Sequence, residues 1–437
     1  MRITDKQYVE YVKGKLDEYK QNGKLTIAYF IDSYYPIVDG VVNVLNSYCE
    51  HLKDKFNVIV CTPSHKKCQE DKDYLIISCR SVYCRLLNYD LSLAKNDSQF
   101  AQLLDYAKID LVHLHSPYML GKWGLRYAKK RNIPVIATFH SLYRKDYMSM
   151  THLDCISNLL VKYIMKTFNN VDCVYTMHEK IAEELKSYGF VGGNDKIRYI
   201  SNATDDEYIG DDSATTELVN TKYDLTNKSN IMLFVGRIVK VKKVFFISRV
   251  CQLLKQRNFD FTMIYVGNGP DENKLKHQIK EMGLSDNVIF TEKISDREEL
   301  KAIYKRSNLF FFPSTYDTSS LVQIEAATQK TAGLFRNNSV TAYTIEEGVS
   351  GFLSSASVEE TADKIMSIFS DSAKLQEVSQ SAYDRLHVTW GDLTNTIEEE
   401  YTRYLTAERL AQIREKETFA QKLKKKKEER KEKSDKV

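Results

Sequence analysis

From Leu25 to about residue 385, short apolar runs rich in β-branched and aromatic residues alternate with longer amphipathic stretches. An unbroken apolar run bounded by polar turns predicts a strand, and regular alternation with helical stretches predicts βαβ units and parallel sheets. In the first half the predicted strands are Leu25 to Ile31, Asn57 to Thr62, Tyr74 to Cys79, Asp110 to His115, Pro134 to Phe139 and Cys173 to Thr176. A second series follows at Asn230 to Val235, Phe261 to Val266, Asn287 to Phe290, Leu309 to Phe312 and Ala332 to Arg336. The stretch between them is polar and rich in Asp, Asn, Ser and Thr, which predicts a linker over 206–228 joining doubly wound domains at 23–205 and 229–385. Residues 1–22 predict a separate helix, with Thr4 and Gln7 at capping spacing and Tyr8, Val12, Leu16 and Tyr19 along one stripe.

At 437 residues, with 43% hydrophobic and 28% charged, the chain has room for two or three domains and an ordinary globular core. No run reaches the roughly 18 to 20 uncharged apolar residues of a spanning helix, and the first twenty residues lack an apolar signal core, so the protein is expected to be cytoplasmic. Eight cysteines without a Cys-x-x-Cys pair argue against structural zinc and against a disulfide framework. Residues 421–437 hold nine basic against four acidic residues, leaving 54 basic against 55 acidic in the rest. A body without net positive charge argues against a dedicated nucleic-acid binder.

Two doubly wound domains place ligands at the carboxyl ends of their strands, so a cleft between them is where chemistry is expected. The first strand runs into Asp32-Ser33-Tyr34-Tyr35-Pro36 and then Asp39-Gly40, where a glycine before a helix lets backbone N–H groups approach an anion. His113 and His115 share one strand face with no nearby carboxylate or cysteine at ligand spacing, which favours packing over metal binding. His140 ends the following strand and is the histidine best placed to touch a substrate. In the second half Gly236-Arg237 ends a strand and Lys242 follows five residues on, a pair of cations suited to a diphosphate. Val266-Gly267-Asn268-Gly269-Pro270 closes the next strand. Asp317 and Glu325 then flank a strand-to-helix turn with seven residues between them, and the amides of Ser320, Leu321 and Val322 lie at the helix start, where phosphate is favoured.

These motifs, in this order over roughly residues 24–405, resemble glycosyltransferase family 4. The resemblance implies an α/β chain of GT-B fold, two Rossmann-like domains facing a cleft, with C-terminal helices at 386–415 returning to the first domain and a basic tail at 416–437. It implies a retaining transferase that uses a nucleotide sugar, a UDP-sugar in the first instance, without a metal or other cofactor. The implied roles are Gly40 and Gly236 beside the donor phosphates, Asp39 on the acceptor side and His140 against the donor sugar. Arg237 and Lys242 would hold the diphosphate, Asp317 would stand beside the sugar, and Glu325 would bind the ribose. The likeness is closest to bacterial enzymes that glycosylate lipids or cell-envelope glycans, so the acceptor is expected to be a glycan, lipid or protein. Three departures from the family pattern stand out: Asp317 in place of Glu, Ser320 in place of Gly, and Glu292 in a loop that often carries Gly. They raise a rival reading, a GT-B-shaped partner protein without catalysis that binds glycan or stabilises an active transferase.

Met119 to Arg131 combines Lys122, Arg126, Lys129, Lys130 and Arg131 with Trp123, Leu125 and Tyr127, a composition suited to an anionic membrane surface. Lys424 to Lys427, Arg430 and Lys431 add charge from the tail, so peripheral docking at the inner face of the cell membrane is expected.

Overall fold

The structure is a computed structural model that describes residues 6–35, 40–63, 72–85, 89–210, 214–315, 317 and 321–405. Its first lobe is built on a parallel sheet of β1 (Thr26–Phe30), β2 (Asn57–Pro63), β3 (Leu75–Cys79), β6 (Leu111–Leu114), β7 (Val135–Thr138), β8 (Cys173–Thr176) and β9 (Ile197–Tyr199) in the order β3-β2-β1-β6-β7-β8-β9. An antiparallel hairpin of β4 (Ser81–Cys84) and β5 (Tyr89–Ser92) lies outside that sheet. The second lobe carries β10 (Ile231–Val235), β11 (Thr262–Val266), β12 (Val288–Phe290), β13 (Leu309–Phe312), β14 (Gly333–Arg336) and β15 (Phe352–Ser354), ordered β12-β11-β10-β13-β14-β15. Residues of β1, β2, β10, β11 and β13 are buried throughout, because helices cover both sheet faces.

Strand order reverses once in each sheet, between β1 and β6 and between β10 and β13. The loops leaving the carboxyl ends of those strands diverge to opposite sheet faces, which opens a crevice at each switch point. In the first lobe that crevice lies between the loop after Phe30 and His115-Ser116-Pro117. In the second it lies between Gly236-Arg237 and the loop after Phe312.

The helix Lys6–Gln21 buries Val12 and Leu16 as its stripe predicts, and Tyr8 donates to the carbonyl of Ile76 at 2.9 Å. Within the stretch read as a linker, the helix Ala214–Lys222 packs Val219, with Leu225 after it, into the core of the second lobe. The second half of that stretch is therefore part of the lobe rather than a tether. At the other end a helix over 390–405 packs Trp390, Leu393, Ile397, Tyr401 and Leu405 against the first lobe. Its Tyr401 hydroxyl shares a 2.6 Å hydrogen bond with His113 Nδ1, so this helix is stitched into the first sheet. Among the described residues no helix is long and apolar enough to cross a membrane, and the tail lies outside them.

Candidate active site

The second-lobe crevice brings together two of the charged residues singled out from sequence, Lys242 and Asp317, whereas Glu325 is engaged by other partners. Gly236 adopts φ +148°, which bends the chain directly out of β10. This turn leaves Arg237 exposed and brings Lys242 back so that its Cδ would stand 3.6 Å from a Cβ at Gly236. Lys242 Nζ donates to Asp317 Oδ1 at 2.8 Å, and Ser314 Oγ donates to Asp317 Oδ2 at 2.5 Å. Two residues 75 positions apart therefore meet across the switch point. Sequence reading assigned them separate roles and did not foresee the ion pair.

The Gly-x-Gly after β11 has a packing explanation. A Cβ at Gly267 would fall 2.2 Å from the carbonyl oxygen of Gly236, and one at Gly269 would fall 2.2 Å from that of Ile238. These glycines let the β11 loop press against the β10 loop and set the turn that presents Arg237. Glu292, noted as a departure, stands at φ +60° and its backbone carbonyl accepts from the Gly267 amide at 2.7 Å, so a glutamate occupies a left-handed conformation suited to glycine.

Glu325 lies on the helix Leu321–Thr328 and is 9% exposed. Tyr304 donates to its Oε2 at 3.0 Å and Arg297 to its Oε1 at 3.1 Å, while Arg297 also pairs with buried Asp206. Burial pushes the Glu325 carboxyl up, and the Arg297 guanidinium and the Tyr304 hydroxyl pull against that rise. Arg297, Tyr304 and Asp206 escaped sequence reading, since each comes from a different segment and none sits in a recognisable motif. Leu321 and Val322 open the helix half-buried. Ser320 lies outside the described residues.

In the first lobe, Asp32 at the end of β1 organises the opposite wall. It is 2% exposed, accepts from the amides of Leu120 at 2.6 Å and Gly121 at 3.1 Å, and accepts from Ser116 Oγ at 2.8 Å. The carboxylate thus closes the N-terminus of the helix Met119–Lys130 across the switch point, although burial raises its pKa. Gly40 opens the helix Gly40–Leu52 with open space where a Cβ would stand. Asp39 lies outside the described residues.

His140 is buried and stacks on His115 with ring centroids 5.0 Å apart, and its Nε2 lies 3.0 Å from His115 Nδ1. Burial pushes its imidazole down to about 3, and His113 and His115 are also driven well below the usual histidine range. All three rings are neutral at neutral pH. His113 uses Nδ1 on Tyr401 and Nε2 on Thr138 Oγ1 at 2.7 Å. Among the described residues no group of three or more His, Cys, Asp or Glu is arranged to hold a metal ion.

The lobes touch beside this site. Lys145 Nζ donates to the carbonyl of Thr315 at 3.4 Å, two residues from Asp317. Tyr343 stacks on His178 and donates to Glu179 at 2.9 Å. Next to that contact lies an interlobe cavity of about 720 Å³, lined by residues including Asn202, Gln323, Thr341 and Arg385. Arg237, Lys242 and Asp317 do not line it; they stand at the strand ends, where the switch-point argument puts the chemistry.

Two family models match the chain, "Glycosyltransferase Family 4" over residues 38–208 and "Glycosyl transferases group 1" over residues 217–385. Curated relatives include an alpha-monoglucosyldiacylglycerol synthase of Streptococcus pneumoniae, 24% identical over 72% of this chain and 71% of its own length. A protein of the same name from Acholeplasma laidlawii is 25% identical over 75% of this chain and 84% of its own. Among solved structures, HepE of Anabaena in complex with UDP superposes with a TM-score of 0.71 at 16% identity, covering 87% of this chain and all of its own. One matched model coincides with each lobe, and the motifs that carry the likeness meet at the two switch points. The chain is a glycosyltransferase of family 4 with the GT-B fold.

Proposed function

We propose that the protein transfers a hexosyl or N-acetylhexosaminyl group from a nucleoside diphosphate sugar, a UDP-sugar first among them, to a hydroxyl of a lipid or glycan, with retention of configuration and without a metal. The observation that carries this reading is the meeting of Lys242 with Asp317 at the second-lobe switch point, beside the Arg237 turn. Arg237 would grip the diphosphate bidentately and Lys242 would turn from Asp317 to the departing phosphate oxygens, neutralising charge as the glycosidic bond breaks. Asp317, freed of its cation, would then accept sugar hydroxyls, and neutral His140 could donate or accept at the sugar without competing for a proton. The acceptor hydroxyl would attack from the face the diphosphate leaves, through an oxocarbenium-like state, its oxygen bonding to the anomeric carbon as the carbon–oxygen bond to the phosphate breaks and its proton passing to the departing phosphate oxygen. Relatives named alpha-monoglucosyldiacylglycerol synthase favour a lipid acceptor, and we place the work with such an acceptor at the inner face of the cell membrane.

The rival, a partner protein without turnover, is favoured by one observation: both carboxylates of the paired segment already have partners, Asp317 with Lys242 and Ser314, Glu325 with Arg297 and Tyr304. Incubating the full chain with UDP-glucose, UDP-N-acetylglucosamine or GDP-mannose, with and without diacylglycerol in micelles, separates the two readings. Slow donor hydrolysis, a nucleotide-dependent rise in Tm and a glycosylated lipid by mass spectrometry are expected. Absence of all three across the donors would refute the transferase and leave the rival.

A further inference from the structure

The first lobe has an outer edge that its core does not use. In the hairpin of helices Tyr143–Thr151 and Asp154–Phe168, Met150, Leu153 and Leu159 are 65, 51 and 67% exposed, and Met148, Ile156 and Tyr163 are exposed as well. The second helix turns Val161, Ile164, Met165 and Phe168 inward, yet carries Ile156, Leu159 and Tyr163 on the outward side at helical spacing. One apolar stripe suffices to dock a helix on its own core, so the second stripe faces water without a structural need for it. The ledge is firmly held: His152 ends the first helix at φ +54°, Arg144 pairs with Asp154 at 2.8 Å, and Thr151 and Ser157 hydroxyls bond at 3.0 Å.

The outer stripe leads through Tyr163 into a groove of about 540 Å³ whose walls carry Lys95, Lys122, Arg126, Lys129 and Lys166 and no carboxylate. Lys129 pairs with Asp172 at 2.7 Å; Lys95, Arg126 and Lys166 form no ion pair among the described residues. Lys122 Nζ sits 2.8 Å over the Tyr163 ring, and burial together with Lys166 and Arg126 depresses its ammonium to about 8. A cationic groove only partly neutralised, beside an apolar ledge, matches a surface in which phosphates lie beside hydrocarbon, which is an anionic bilayer. This corrects the reading of Met119 to Arg131 as a membrane face in its own right. Its Leu125 and Tyr127 are buried, and Trp123 packs on Phe30 and Phe100, so that helix contributes cations while the apolar ledge comes from the next two helices.

We infer that the Tyr143–Phe168 hairpin and the adjoining basic groove form the face on which the enzyme sits on an anionic membrane, with Met150, Leu153, Ile156 and Leu159 entering the acyl boundary and lipid phosphates occupying the groove. This deepens the membrane partner of the proposed function. The geometry also serves it, because Lys145 of the same hairpin reaches Thr315 beside Asp317 and brings the membrane face to the mouth of the cleft.

The test is sedimentation of the full chain with vesicles of phosphatidylcholine alone or with added phosphatidylglycerol, using wild type, Leu153→Asp/Leu159→Asp and Arg126→Glu/Lys166→Glu. Wild type should bind the anionic vesicles, and each double variant should lose about tenfold to a hundredfold in partition while keeping its Tm. Variant binding equal to wild type, as a tail-driven association would give, would overturn the inference, as would a wild type that ignores anionic vesicles. Displacement of the protein from vesicles by glycerol phosphate at constant ionic strength would overturn it too, making the groove a small-anion site. Donor hydrolysis without vesicles is read on the same preparations. If docking fails as above while hydrolysis persists, only the docking face falls; hydrolysis absent while the variants still lose binding supports the face and sinks the transferase.

Discussion

Arg297 holds two buried carboxylates at once, and removing it tests whether charge or packing keeps Glu325 in place. Asp206 and Glu325 are 6 and 9% exposed, whereas the Arg297 side chain is 51% exposed. Breaking a buried pair from one side costs about 3–5 kcal/mol, because the remaining charge is left without compensation. Water reaches half of this guanidinium, so the cost of Arg297→Met is discounted to about 2–3 kcal/mol. Each kcal/mol moves the midpoint of a lobe of this size by about 2–4 °C, which places the drop in Tm at about 4–12 °C. The pH dependence has a definite sign. Arg297 opposes the upward shift that burial imposes on Glu325, so without it the folded-state pKa climbs further above the unfolded value. A carboxyl with a raised folded pKa contributes stability below the unfolded pKa and loses it as pH rises through the folded pKa. The deficit of Arg297→Met should therefore be smaller near pH 5 than near pH 8 when melting is followed by circular dichroism. Adding Glu325→Gln should recover part of the loss, with a coupling of about 1 kcal/mol or more in the double-mutant cycle. An additive cycle, or a deficit indifferent to pH, would refute the electrostatic account.

Arg237→Ala should leave Tm nearly unchanged, since the side chain is exposed, and should lower kcat for donor turnover by about 10²- to 10³-fold; a variant that keeps wild-type turnover would remove Arg237 from the diphosphate site. Gly267→Ala sets a Cβ against the Gly236 carbonyl at φ +130° and should cost about 2–4 kcal/mol in urea unfolding, while also weakening UDP binding through the displaced Arg237 turn. Glu292→Gly relieves the left-handed backbone and should hold or raise stability by up to about 1 kcal/mol; a clear loss in the same unfolding assay would mean the glutamate side chain is needed there. Glu325→Ala, in contrast to Arg237→Ala, should lower Tm as well as activity, because Arg297 and Tyr304 lose their shared acceptor.

All eleven strands predicted from the apolar runs are present within a residue or so of their predicted ends. Parallel strands buried on both faces must be apolar along their whole length, and that leaves a mark in the chain itself. The strands that escaped, β4, β5, β9 and β15, are three or four residues long, and β4 and β5 are partly exposed, so no run of hydrophobic residues announces them. The two carboxylates Asp317 and Glu325 and the cations Arg237 and Lys242 were legible for another reason: each sits at a strand end or on the helix that follows, and strand ends of a doubly wound sheet are where ligands meet the chain.

Which of those groups touch each other was decided only by the fold. Lys242 meets Asp317 because β10 and β13 are neighbours in the sheet, although 75 residues separate the pair. Arg297 reaches Glu325 from a helix and ties it to Asp206 of the stretch between the lobes. The helix Met119–Lys130 shows the same division. Its composition announces cations beside aromatics, but Trp123 packs on Phe30 and Phe100, Tyr127 is buried against Trp123, and the exposed apolar ledge is supplied by the neighbouring hairpin. Local pattern records what a segment must bury. It does not record which distant segment will cover it, because that choice is made by packing between elements far apart in the chain.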